Sequence, residues 1–123
     1  MKQLLQKRLN SFKYAINGVR LLFTTQIHGK FHLFFGFFVV VAGLFFDIST
    51  TEWCLVTLSI AMVIGAEAFN TALEKLTDLV SPDYNPLAGQ AKDLAAGAVL
   101  ICALGTLVIG FIIFLPKVLM LFY

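Results

Sequence analysis

Four polar residues, Glu67, Asn70, Glu74 and Asp78, stand in the stretch EAFNTALEKLTD, directly after a run from Trp53 to Ala66 that holds no charge. At about 100° per residue of α-helix they fall within about 80° of one another, so one helical stripe carries all four. A charged side chain at membrane depth is costly, so it faces a bundle interior or water and usually marks function. Two carboxylates beside an amide oxygen make a hard-oxygen set suited to Mg²⁺, which needs only one or two protein carboxylates when phosphate oxygens complete its shell. After a turn, Lys92 and Asp93 return to the same membrane face as Glu74, and Lys92 offers a cation to a phosphate. A base, a metal site and a cation describe phosphoryl transfer. They describe an ion or proton pathway equally well, and spacing does not decide between them.

The elements that must position these groups are lipid-soluble. Of 123 residues, 59% are hydrophobic and 13% charged, and the mean hydropathy is +0.89. Soluble domains average about 45–50% apolar and about 25% charged. No signal peptide is evident, and nothing suggests a nucleic-acid partner. Cys54 and Cys102 lie in separate apolar runs without metal-ligand spacing and read as free buried thiols. Neither GxxxxGK[ST] nor GxG occurs, so any nucleotide site is built without a glycine loop.

The expected architecture is an all-α membrane protein forming one domain over 1–123. Within 1–26, Leu5, Leu9, Phe12, Ile16, Val19 and Phe23 alternate steps of four and three, opposite a polar face that includes Lys7 and Lys13. That pattern predicts an amphipathic helix lying in the membrane interface. Transmembrane helices are expected over 29–49, 52–80 and 91–116. The first is the weakest, since the apolar core Phe31 to Phe46, about 16 residues, rises about 24 Å against a hydrocarbon thickness of about 30 Å. The second is longer than the bilayer, so its polar half projects out of the lipid. The third has a charge-free stretch from Leu94 to Leu115. SPDYNPLAG, residues 81–89, reads as the turn between them. Ala91, Ala95, Ala98, Cys102 and Gly105 form a seam of small residues for close helix packing. Six basic residues precede the first span and only acids follow it, which places the N-terminus and the polar stripe in the cytoplasm.

The run EAFNTALEKLTDLVSPDYNPLAGQAKDLAAGAVL, residues 67–100, resembles the signature of the prokaryotic diacylglycerol kinase family of small integral-membrane lipid kinases. SFKYAINGVR, residues 11–20, is similar to that family's surface-helix segment. The resemblance implies a homotrimer in the bacterial inner membrane, each subunit having three transmembrane helices and one amphipathic surface helix. Active sites are then shared between subunits. It also implies that Glu67 is the general base taking the proton of the lipid hydroxyl, that Asn70 positions substrate or metal, and that Glu74 binds the Mg²⁺ bridging the ATP phosphates. By the same resemblance Lys92 neutralises the γ-phosphate, Asp93, Asp83, Tyr84 and Asn85 lie near the nucleotide, and Tyr14 reaches it from the surface helix. Asp78 and Lys7 are further candidates.

The run TQIHGKFH departs from the family pattern, with His28 in place of the family's Asn and Lys30 in place of its Arg, and one departure bears on the metal. Gln26 stands where the family has a metal-binding Glu, and its amide oxygen can coordinate but brings no charge. The expected activity is transfer of the γ-phosphate of ATP to diacylglycerol, with undecaprenol as the alternative acceptor. A catalytically silent membrane oligomer, or an ion pathway on the same fold, is the competing reading.

Overall fold

In lipid, backbone N–H and C=O groups find partners only in each other, so apolar chain closes into helices. The computed structural model describes residues 1–122, and its elements are α1 (Lys2–Thr25), α2 (Ile27–Phe45), α3 (Thr50–Val80) and α4 (Pro86–Leu119). The last three are long and apolar enough to cross a membrane. Along α1 only Leu22 is buried.

Local chemistry sets each boundary. Between α1 and α2, Gln26 is extended at φ −96° and ψ 125°. Gly29 lets the second helix turn back on the first, because a Cβ there would meet the Leu22 carbonyl oxygen at 2.9 Å. α2 ends at Phe45, before the expected 49, because the chain enters a Schellman turn. Ile48 N–H reaches the Gly43 carbonyl at 3.1 Å and Asp47 N–H the Leu44 carbonyl at 3.4 Å, with Asp47 at φ 47°. Ser49 then opens α3 with a reciprocal capping box. Its N–H donates to Glu52 Oε2 at 2.7 Å, and its hydroxyl accepts from Glu52 N–H at 3.3 Å. α4 begins at Pro86, earlier than the expected 91, since Asn85 Oδ1 accepts from Leu87 N–H at 2.9 Å and Pro86 suits the first helical position.

α3 and α4 form the most extensive contact, α2 packs mainly on α3, and α1 touches the others only near its C-terminal end. At the end of the bundle remote from Glu67, Ile48, Val56 and Ile113 form a buried cluster, with Trp53, Phe46 and Phe114 packed around it. Beside it Lys117 pairs with Glu52 at 3.1 Å, both side chains about three-quarters buried. Glu52 lies in the first turn of α3 and Lys117 in the last turn of α4, so each also complements its own helix dipole.

The small-residue seam is partly corrected. Ala95 is buried and Cys102 half-buried, but Ala91, Ala98 and Gly105 face outward. The α4 face that packs runs through Lys92, Ala95, Val99, Cys102, Thr106, Ile109 and Ile113. Both faces recur every three to four residues, and composition alone favoured the one with more alanine and glycine.

Two substitutions test the α2–α3 turn. Asp47→Gly removes a side chain from a left-handed position and is expected to stabilise the protein by about 1 kcal/mol, read as a higher thermal midpoint in detergent. Gly43→Val is expected to destabilise by about 1–3 kcal/mol, because a Cβ at that position would lie 2.8 Å from Trp53 Cη2 and 3.0 Å from Ile48 Cδ1.

Candidate functional site

The stripe on α3 forms as the spacing requires, and its surroundings are graded. Glu67 is 4% exposed and Asn70 7% exposed, whereas Glu74 is half-buried and Asp78 exposed. Asn70 Nδ2 donates to Glu74 Oε1 at 2.9 Å, which fixes the two side chains one helical turn apart. Asn70 Oδ1 is then left buried without a partner. No side-chain hydrogen bond or ion pair joins Glu67 to another described residue. A buried amide oxygen without a partner is costly, and it lies one turn from Glu67, which makes this stretch of the stripe a candidate binding site.

A second group forms where α3 meets α4. Asp78, Asp83, Tyr84, Asn85, Gly89 and Lys92 line a cleft of about 230 Å³, beside the N-terminus of α4. Lys92 Nζ donates to Asp78 Oδ1 at 2.6 Å. The pair is solvent-exposed, so it contributes little to stability and is easily exchanged for another anion. Asn85 spends its side-chain oxygen on the helix cap, and Ser81 Oγ donates to the Asp83 carbonyl at 3.3 Å. Tyr84 is fully open to solvent. A helix N-terminus beside a lysine is a favourable setting for phosphate.

Other candidates lie elsewhere. Asp93 follows Lys92 by one residue and so points about 100° away, into a separate groove with Gln90, Leu94, Gly97 and Ala98. Lys7 and Tyr14 sit on the exposed part of α1. Gln26 is half-buried at the α1–α2 break and donates from Nε2 to Thr25 Oγ1 at 3.1 Å, which leaves its amide oxygen as an acceptor. Among the described residues no three His, Cys, Asp or Glu side chains group to hold a metal. The stripe instead offers two carboxylates and the orphaned Asn70 Oδ1. That incomplete oxygen set suits a hard cation that shares its remaining positions with phosphate and water.

The Glu52–Lys117 pair was not anticipated from the sequence. The signal was present, since Ser49 followed three residues later by Glu52 is a capping box that fixes where Glu52 must lie. Nor was Ser59, which continues the Glu67 stripe toward the bilayer at 5% exposure, its hydroxyl without a partner.

A bundle of membrane-length helices carrying a buried carboxylate stripe beside an exposed lysine cleft defines a multi-pass membrane protein with a polar site at one end of its helices. Residues 13–114 match the profile of the prokaryotic diacylglycerol kinases, and the chain belongs to that family. It is 36% identical over 113 residues to an undecaprenol kinase of Bacillus subtilis, covering 92% of each chain. To a diacylglycerol kinase of Synechocystis sp. it is 39% identical over 114 residues, covering 92% of this chain and 65% of that protein. To a diacylglycerol kinase of Haemophilus influenzae it is 26% identical over 108 residues, covering 86% of this chain and 92% of the other.

The Asn70–Glu74 contact gives a test with a structural readout. Asn70→Asp sets two carboxylates at hydrogen-bond distance, where they repel unless a cation lies between them. The variant is expected to melt lower than wild type in chelator and to regain its midpoint in millimolar Mg²⁺. Equal midpoints with and without Mg²⁺ would show that this pair does not face a cation site.

Proposed function

We propose that this chain transfers the γ-phosphate of ATP directly to the hydroxyl of a membrane lipid alcohol, diacylglycerol first. The observation that carries the reading is the buried, unpartnered Glu67 carboxylate, on the same helical face as the Asn70–Glu74 pair and leading toward the Lys92 cleft. Family membership and the names of the relatives make the chain a membrane lipid kinase. The match to the B. subtilis undecaprenol kinase over nearly the full length of both chains favours undecaprenol as the second acceptor.

In this reading Glu67 accepts the proton of the lipid hydroxyl, which reaches it from the bilayer, while Asn70 holds Glu74 in place. Glu74, with the amide oxygens of Asn70 and Gln26 as further ligands, would hold Mg²⁺, which would supply charge neutralisation for the ATP phosphates. Lys92 leaves Asp78 for the γ-phosphate, an exchange of one exposed anion for another. Asp83, Tyr84 and Asn85 border the nucleotide across the cleft. A loose phosphoryl transition state gains chiefly from positioning and from charge neutralisation, and these residues are suited to both.

Within one chain Asp93 lines a separate groove, and Tyr14 and Lys7 are exposed on α1. A homotrimer with shared active sites supplies their use, because residues facing outward on one subunit then complete the site of its neighbour. The same assembly covers part of the outward α4 face near Ala91 and Ala98. The excess of basic residues before α2 supports a cytoplasmic N-terminus, stripe and cleft at the inner membrane, where ATP is.

The test is transfer of label from γ-labelled ATP in mixed micelles, with diacylglycerol and undecaprenol offered together, with and without Mg²⁺. Label is expected in one lipid and only with Mg²⁺. Label in neither, from folded oligomer, would overturn the kinase reading in favour of a silent subunit or an ion pathway. In the same assay Gln26→Glu is expected to lower the Mg²⁺ concentration for half-maximal rate. An unchanged metal titration would remove Gln26 from the metal's surroundings.

A further inference from the structure

Between the membrane-length helices α2, α3 and α4 lies a partly open cavity of about 110 Å³. Its walls are almost wholly apolar, with Gly36 from α2, Val63 and Ile64 from α3 and Gly110 from α4 among them. The polar exceptions are Ser59, Thr106 and His32. Thr106 Oγ1 donates to the Ser59 carbonyl at 3.5 Å, whereas Ser59 Oγ is 95% buried and without a partner. These three side chains interrupt an otherwise apolar lining, so a hydrocarbon would contact most of the wall. An apolar cavity of this kind stays dry or takes an apolar ligand, and left empty it forfeits dispersion contacts along its whole lining.

On α3 the cavity lining reaches Val63 and Ile64, and Glu67 lies one helical turn beyond Val63 on the same face. Ser59, Val63 and Glu67 follow one another at spacings of four, so the wall leads along one face of α3 to the buried carboxylate. At that end stand Ile64 and His32. The opposite end runs into Val56 and Phe114, which belong to the packed cluster of Ile48, Val56 and Ile113. From Glu67 to Val56 the α3 axis spans about 16 Å.

We propose that this cavity is a blind slot for one hydrocarbon chain of the lipid alcohol, entered at Glu67 and stopped by Phe114. The proposal rests on the lipid-kinase reading of Glu67. The hydroxyl is presented to the carboxylate at the open end, and the adjoining part of the chain fills the slot in place of bilayer lipid. The slot therefore reads chain length rather than headgroup. Ser59 stays unpaired because the groups it faces are an apolar occupant's.

Filling the slot and deepening it should act in opposite directions. A Cβ at Gly110 meets nothing within 4 Å, and one at Gly36 comes no closer than 3.7 Å to Ile60, so Gly110→Leu and Gly36→Val occupy the cavity without displacing backbone. Transfer is measured over dihexanoyl-, dioctanoyl-, dilauroyl- and dioleoylglycerol, and in parallel over farnesol, geranylgeraniol and undecaprenol. Each filling variant is expected to lower kcat/KM for the longer chains, relative to the shortest, by about tenfold, with KM for ATP unchanged. Phe114→Ala should shift preference toward longer chains. Gly105→Leu, on the outward face of α4, should leave the profile as in wild type. Equal effects at all chain lengths, or the same shift from Gly105→Leu, would overturn the slot while leaving the kinase reading intact. Should no alcohol be phosphorylated, a dodecanol with a terminal diazirine decides the slot separately. Crosslinking to the α3 and α4 peptides containing Ser59 and Phe114, lost in Gly110→Leu, supports it; crosslinking confined to outward faces contradicts it.

Discussion

A carboxylate cannot be left against lipid, and the arrangement of this chain follows from where it puts Glu67. The residue lies 4% exposed on a helix whose preceding fourteen residues carry no charge. It can stay there only if that face of α3 is turned inward, toward the helices that pack on it. The inward turn sets the register of the whole stripe, from Val56 and Ser59 through Asn70, and keeps the unpartnered oxygens of the site together. The α3–α4 contact, the largest in the fold, continues past the stripe to the connecting turn, where Lys92 meets Asp78. The Ser49–Glu52 cap and the Glu52–Lys117 pair hold the same two helices at the other end.

Burial along α3 also orders the chemistry. Glu67 and Asn70 are enclosed, Glu74 half-enclosed and Asp78 open, so the stripe passes from apolar surroundings to water over about three turns of helix. The proposed reaction brings a lipid hydroxyl to the first end and a nucleotide to the second. In the proposed reaction the two substrates meet near Glu74, where Asn70 already holds a carboxylate oxygen. The incomplete oxygen set there and the outward-facing Asp93 and Tyr14 agree with a site finished by bound phosphate and a neighbouring subunit.

Much of this was legible in the sequence because its strongest signals are periodic. A charge-free run followed by acids at spacings of three and four fixes one face of one helix, and the structure buries the Glu67–Asn70 part of that face. The helix ends were harder. α2 stops at Phe45 because Asp47 takes a left-handed conformation that asparagine or glycine would have advertised and aspartate does not. The packed face of α4 was misjudged because two faces share the same period, and what decides between them is the partner helix. The cavity was not legible at all, since glycine, serine and valine in a span read equally well as close packing and as space. The cleft was anticipated as a group of residues, but the cap formed by Asn85 and the divergence of Asp93 from Lys92 depend on where α4 starts.

The most direct test of the account is turnover by Glu67→Gln, with oligomeric state and helix content measured on the same preparation. The substitution keeps the shape of the side chain and removes its ability to take a proton. If Glu67 is the base toward the lipid hydroxyl, kcat falls by about 10²–10⁴-fold while the assembly persists and KM for ATP is little changed. Turnover at the wild-type rate would contradict the account and leave the buried carboxylate with a structural role alone.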